Sequence, residues 1–318
     1  MKRIVKGYTS DLAYIHDVGF GSFSERAAPA LLRILRDSGV RRGLVVDLGC
    51  GSGLWAHRLV EQGYGVLGID ISAAMVKLAR RREPRARFKV GSFLSVPLPR
   101  CVAITAIGEC LSYLFDERNG EETLAGFFAR AHEALEPDGV LVFDVLESGR
   151  GVPCRNAERY AGGRDWAVLV KVQENLAASQ LTREITSFRR VGKLYRRVEE
   201  VHGLRLLSKE AVERKLRRRR FSVKVVRGYG ELRFPRGGAD NAEPQPIGFR
   251  RGLTKPPRLP SFRPHAMAHS ASDQSLRPPA SSRLLIGPKQ PLPLSRRCAQ
   301  PSPSRAARRI VPHPRGRF

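Results

Sequence analysis

Residues 45–53 read Val-Val-Asp-Leu-Gly-Cys-Gly-Ser-Gly, and no other stretch restricts the fold as tightly. An apolar run delivers a carboxylate, Asp47, into a turn with glycine at alternate positions. Glycine lets the backbone bend sharply and lets a ligand approach without a Cβ in the way. A nicotinamide or flavin fingerprint puts its third glycine at position 54, which here is Leu54. It also places a pyrophosphate on the helix that follows, and Asp47 would face that pyrophosphate. A carboxylate there suits a cationic ammonium instead. Twenty-one residues after Gly49, Asp70 ends the next apolar run, where a carboxylate can accept both hydroxyls of a ribose. Ile71 and Met75 then offer apolar cover for a purine.

The remaining pattern sets this turn in a layered fold. Helical spacing is predicted over 24–38, 54–62, 72–82, 121–135 and 208–219, and short apolar runs fall at 44–48, 66–69, 88–90, 102–106, 140–145 and 221–226. Near-continuous apolar strands alternating with helices predict an α/β fold, a Rossmann-like doubly wound and mostly parallel sheet. The rhythm breaks after residue 150. Residues 166–172, 181–191 and 194–202 alternate polar and apolar with no helix between them. That predicts a small antiparallel three-stranded insertion, within about 150–206, after the fifth strand.

Charge and proline divide the chain again. Residues 235–318 carry 16 basic and 3 acidic residues and 16 of the 22 prolines; residues 1–234 carry 41 basic and 27 acidic. The tail is Pro-, Arg- and Ser-rich without a period, the composition of a disordered segment. It is also what a GC-rich gene yields when read out of frame. The expectation is a divergent or frameshifted extension from about residue 236 with no closing strand for the sheet, because the prolines flanking the only candidate run, Ile247-Gly248-Phe249, cannot donate to a ladder. Arginine outnumbers lysine 46 to 11, a bias that GC-rich coding produces without any function. No apolar run approaches the roughly 18 residues that cross a membrane. The N-terminus has no apolar signal region. Five cysteines without a Cys-x-x-Cys pair argue against a disulfide scaffold and a metal site and suit a reducing, cytoplasmic setting.

With Asp70 after the second strand, the run Asp47-Leu48-Gly49-Cys50-Gly51-Ser52-Gly53 resembles the class I S-adenosylmethionine-dependent methyltransferases. The resemblance covers roughly residues 8–233 and extends to a group of bacterial small-molecule methyltransferases. It is carried there by Tyr8, the run Leu12–Asp17, Gly91-Ser92, Gly108-Glu109, Arg183, Tyr195-Arg196-Arg197 and Glu200-Val201-His202. It implies one methyltransferase domain over 1–234, with the insertion covering the substrate. It further implies that Asp47, Gly49, Cys50, Gly51 and Gly53 line the methionyl end of the cofactor. Asp70 would hold the ribose, Ile71 and Met75 would lie by the purine, and Ser92 and Phe93 would flank the adenine. Ala106 and Gly108 would pass beside the methionine. Many relatives carry Asp where Ser92 stands.

Methyl transfer mainly requires aligning donor and acceptor, so few catalytic groups are needed. An O or N acceptor on a small molecule that needs a base finds candidates in His16 and in Glu109 at the end of the fourth strand. Two other readings stay open: a methyltransferase of RNA or DNA, and a non-catalytic basic nucleic-acid-binding protein. Base-amino methylation usually shows Asp/Asn-Pro-Pro-aromatic after the fourth strand. This chain has Ala106-Ile107-Gly108-Glu109 there, and no stripe of interleaved aromatic and basic residues. Both make a nucleic-acid partner the weaker expectation.

Overall fold

The computed structural model describes residues 3–4, 7–147, 156–226, 228–229, 232–233 and 245–251. In chain order they form β1 (Arg3–Ile4), α1 (Ser10–Phe20), α2 (Ser22–Asp37), β2 (Leu44–Leu48), α3 (Leu54–Glu61), β3 (Gly65–Asp70), α4 (Ala73–Arg82), β4 (Arg87–Val90) and β5 (Cys101–Ala106). Next come α5 (Glu121–Ala134), β6 (Leu135–Val145), β7 (Asn156–Gly162), β8 (Trp166–Asn175), β9 (Gln180–Val191), β10 (Leu194–Arg205) and α6 (Lys209–Arg218). The last are β11 (Phe221–Val225), β12 (Gly228–Tyr229), β13 (Leu232–Arg233) and β14 (Gln245–Arg251).

The main sheet has the order β11-β14-β6-β5-β2-β3-β4. Strands β4, β3, β2, β5 and β6 run parallel. Alternation along each strand feeds two separate cores. Val45, Val66 and Ala103 pack with Leu31 and Leu35 of α2 and Trp55 and Leu59 of α3. Their neighbours Val46, Leu67 and Ile104 pack on the other face with Phe127 and Phe128 of α5 and Leu216 of α6. This is the doubly wound α/β fold that the apolar strands predict. It puts the C-terminal ends of β2, β3 and β5 on one rim, where such sheets bind ligands.

Two expectations are corrected. The insertion has four antiparallel strands, β7 to β10, not three. β1 adds to it in parallel alongside β10. β7 reads Asn-Ala-Glu-Arg-Tyr-Ala-Gly, with no alternation to show it, and β1 is two residues long. The second correction concerns the missing strand. Residues 245–251, inside the segment assigned to the tail, run antiparallel between β6 and β11. The flanking prolines argued against a strand there. Pro246 pairs in register with Asp144 of β6, and the ladder to β11 begins only at Ile247. Proline is tolerated where a ladder has ended. The domain therefore runs past 234 to at least Arg251, and no edge of β6 is left unpaired along this strand. The rest of the expected disordered extension, 235–244 and 252–318, lies outside the described residues.

Helix α1 joins the two sheets. Leu12 and Ile15 pack on Trp166, Val168 and Ile185 of the insertion. The buried Asp11 carboxylate takes Arg196 Nε at 2.5 Å and Arg189 Nη1 at 3.2 Å; the Arg196 hydrogen bonds hold its carboxyl below the usual range. Farther along the helix, Asp17 pairs with Arg82 of α4 at 2.8 Å. Arg82 also donates to the Ser52 carbonyl in the glycine turn at 2.6 Å. One helix thus ties the insertion to the rim of the main sheet.

Candidate cofactor and acceptor site

The glycine turn has the geometry its sequence demands. Gly49, Gly51 and Gly53 have φ of 63°, 54° and 81°, a left-handed conformation that other residues rarely adopt. A Cβ on Gly49 would meet Cys110 Sγ at 2.6 Å, whereas one on Gly51 would meet nothing within 4 Å. The turn is packed below and open above. Cys50 faces inward: a Cβ on Gly68 would stand 3.0 Å from its sulfur, and burial pushes its thiol well above the usual range.

Asp47 is 2% exposed at the end of β2. Its Oδ1 accepts from Thr105 Oγ1 at 2.8 Å, and Thr105 in turn accepts from Trp55 Nε1 at 3.2 Å. Its Oδ2 is buried with no hydrogen-bond partner among the described residues. Burial pushes this carboxyl up to about 7, against the Thr105 bond, and nearby Asp70 adds to the rise. A buried carboxylate oxygen without a donor is costly, and an ammonium at this point would satisfy it. Asp70 accepts from the Gly51 and Ser72 amides at 2.9 and 2.8 Å. Burial raises its carboxyl as well, opposed by those two amides. The residues present fit S-adenosylmethionine: a lone carboxylate oxygen for the amino acid end, an open glycine turn, and a strand-end carboxylate for the ribose.

Beyond Asp70, Ile71 and Ser92 line a cavity of about 430 Å³ together with Phe115 and Asp116. Met75 is fully buried in the first turn of α4. Phe93 turns away, its ring 5.2 Å from that of Phe127 in the core. The aromatic wall of this cavity is Phe115, which carries no local sequence signal. Ala106 is buried at the end of β5. The amides of Gly108 and Glu109 both donate to Asp144 at the end of β6, and so does the Tyr229 hydroxyl at 2.9 Å. Asp144 is fully buried and pushed up to about 7 by that burial. It shapes the loop that follows β5, and the sequence analysis missed it.

Glu109 sits at the expected rim, with φ of 63°, but its carboxylate is engaged. Arg183 of β9 reaches Oε2 at 2.8 Å and Oε1 at 3.2 Å. A base in this place would have to break a bidentate pair before taking a proton. The pair is a latch between the main sheet and the insertion. Removing one partner of a buried ion pair is strongly destabilising, by about 3–5 kcal/mol. Glu109→Gln should therefore lower stability to chemical denaturation by about 3 kcal/mol while cofactor affinity stays within a few-fold. An unchanged denaturation midpoint would show that the pair holds nothing.

Around this latch lies an aromatic compartment. The Arg183 guanidinium also donates to the Tyr113 hydroxyl, 3.0 Å from that of Tyr8. The Tyr8 ring stands between two imidazoles, 5.2 Å from His16 and 5.0 Å from His202. Phe115 closes on His202 at 4.9 Å. Each imidazole has a buried Nδ1 without a hydrogen-bond partner among the described residues. Burial pulls His16 down to about 4, so it is neutral at pH 7. His202 is wholly buried, and its Nε2 lies 3.0 Å from Glu200 Oε2. The other Glu200 oxygen accepts the Thr9 hydroxyl. The structure thus brings His16 and Glu109 to one compartment, through Tyr8, Tyr113 and Arg183, together with His202 and Glu200. Their signal was Glu-x-His on a strand, where residues two apart share a face.

The comparisons with known proteins agree with this geometry. Residues 45–139 match the methyltransferase domain family. Over 141 residues the chain is 28% identical to the dTDP-3-amino-3,6-dideoxy-alpha-D-glucopyranose N,N-dimethyltransferase of Streptomyces fradiae, covering 43% of this chain and 54% of that enzyme. Over 128 residues it is 44% identical to an 18S rRNA (guanine-N(7))-methyltransferase of Arabidopsis thaliana, covering 38% and 43%. The structure of CalS10 with S-adenosylmethionine bound, an amino pentose methyltransferase from Micromonospora echinaspora, superposes with a TM-score of 0.60 at 18% identity, over 77% of this chain and 98% of that one. That last likeness is one of fold. The chain spans about half the length of the curated relatives it matches. Residues 45–139 carry a methyltransferase domain, and the glycine turn with Asp47 and Asp70 fits S-adenosylmethionine as its cofactor. Among the described residues no cluster of His, Cys, Asp or Glu could hold a metal ion, and no helix is long and apolar enough to cross a membrane.

Proposed function

We propose that this chain transfers a methyl group from S-adenosylmethionine to the amino group of a small acceptor, an amino sugar being the leading class. The observation that carries the reading is the pair of buried imidazoles with unpartnered Nδ1 atoms beside Tyr8. An acceptor bearing N–H or O–H groups supplies the donors that both atoms lack. S-adenosylmethionine supplies a methyl carbon on a cationic sulfur, open to in-line attack. The chain's own residues bind, align and manage one proton. Asp47 holds the amino acid end of the cofactor and Asp70 its ribose, and the Arg183–Glu109 latch keeps the insertion over the rim. His16, neutral at working pH, orients an acceptor proton. His202, with Glu200 behind it, takes the proton that the acceptor gives up.

The choice of nitrogen over oxygen is supported by relatives whose names specify an amino sugar and glycine or sarcosine. The rRNA-modifying relative supports the other reading, but the compartment is built from close-packed rings rather than a groove lined with arginines. Formation of S-adenosylhomocysteine should be followed with free and nucleotide-linked amino sugars, glycine, sarcosine, their hydroxyl counterparts and an rRNA fragment. Turnover confined to amines is the expected result. Turnover of the RNA alone would overturn the reading.

A further inference from the structure

The guanidinium that faces the aromatic compartment, Arg183, is already engaged by the protein. Its Nη1 lies 2.8 Å from Glu109 Oε2 and donates to the Tyr113 hydroxyl at 3.0 Å, while its Nη2 donates to Glu109 Oε1 at 3.2 Å. Both outer nitrogens of the fork thus have partners before an acceptor arrives. Glu109 is 5% exposed, so the two charges neutralise each other with little help from water. The other titratable groups around the rings offer no free cation at working pH. Burial keeps His16 neutral and holds the Tyr8 and Tyr113 phenols protonated. His202 lies against the Glu200 carboxylate, and Asp17, next to His16, is paired with Arg82.

Small amines divide into two classes at such a site. An amino sugar carries its nitrogen on a ring whose neighbouring hydroxyls need only hydrogen bonds. An α-amino acid carries a carboxylate one carbon from the nitrogen, so the amine cannot enter without it. That carboxylate needs a cation. If it takes Arg183, Glu109 is left buried and unpaired; if it does not, it is buried unpaired itself. Either outcome is costly. An unpaired charge set against the wrong ligand is one way a site rejects it. We propose that Glu109 is a specificity-determining residue: by neutralising Arg183 it turns α-amino acids away and reserves the compartment for amines with no acidic group beside the nitrogen, amino sugars among them. The inference rests on the small-amine reading above and narrows its substrate class.

The test uses sarcosine and sarcosinamide, which differ only in a carboxylate against a carboxamide. Each is titrated calorimetrically into the full chain saturated with S-adenosyl-L-homocysteine, so no turnover is needed. The wild type should bind the amide more tightly by about tenfold or more. Glu109→Gln keeps the shape of the side chain but releases the charge of Arg183, and the preference should fall to within about threefold or reverse. Glu109→Asp keeps the charge and should keep the preference. Comparing ratios across the variants cancels the different basicities of the two amines. A purely structural role would weaken both ligands in Glu109→Gln and leave their ratio unchanged, which would overturn the proposal. Binding of neither ligand by Glu109→Gln would do the same, because sarcosine is expected to gain there. A wild type that binds sarcosine as well as its amide would also overturn it, and that measurement stands if Glu109→Gln fails to fold. The small-amine reading fails separately, if the wild type turns over no amine in the acceptor screen.

Discussion

Asp47→Asn should weaken binding of S-adenosyl-L-homocysteine by roughly tenfold to a hundredfold, because it removes a charge-assisted bond worth about 1.5–3 kcal/mol. The same carboxylate should make wild-type affinity depend on pH. Its carboxyl stands at about 7 without ligand, and an ammonium binds the ionised form. Affinity should therefore fall about tenfold between pH 8 and pH 6, since one unit below its pKa about a tenth of the group is ionised. Folding runs the other way. A carboxyl raised in the fold keeps its proton more firmly there than in the unfolded chain. The ligand-free protein should thus lose stability as pH rises from about 4 through 7. Burial pushes Asp144 to about 7 as well, so it titrates in the same window; it shapes the loop after β5 rather than facing the ammonium. The comparison that isolates Asp47 is the slope in Asp47→Asn against the slope in Asp144→Asn. Calorimetry at pH 6, 7 and 8 decides it. A slope as steep in Asp47→Asn as in the wild type would remove Asp47 from the ammonium site.

How much of this was legible in the sequence follows from how local each feature is. The turn at Asp47 to Gly53 and the strand-end Asp70 are set by residues within one βαβ unit. Their spacing carries the information, and the structure places them as read. Ser92 was legible as a position, and the structure puts it on the wall of the cavity beyond Asp70. The ring of Phe93 packs against Phe127 of α5, a partner that no local pattern announces. Glu109 was placed correctly at the end of β5, yet its occupation by Arg183 depends on a strand 74 residues later. β14 was missed because the argument from proline treated a donor's absence as fatal without knowing where each ladder ends.

His202 is the residue on which the proposed chemistry turns, and His202→Gln should lower turnover by roughly a hundredfold or more. Its position is determined from both sides. Across the sheet it pairs in register with Arg183, so the Glu109 latch also fixes the strand it stands beside. Along β10, Glu200 shares its face and takes its Nε2, leaving Nδ1 as the lone pair. During transfer the acceptor nitrogen forms its bond to the methyl carbon as the carbon–sulfur bond breaks, the bonding pair staying on sulfur. The acceptor's proton passes to Nδ1, and the Glu200 carboxylate stabilises the imidazolium that results. Glutamine at 202 keeps a polar side chain but cannot carry that proton. Glu200→Gln keeps the imidazole but removes the charge behind it, so its loss should be smaller and should shift the pH–rate profile. Cofactor affinity should stay within about threefold in both variants, because neither residue contacts Asp47 or Asp70. The measurement is kcat against pH for wild type and both variants, with whichever amine the acceptor screen turns over. Wild-type kcat in His202→Gln would leave the base elsewhere, with His16 the nearest imidazole. Equal losses in kcat and in cofactor affinity would make the dyad a structural support for the insertion instead.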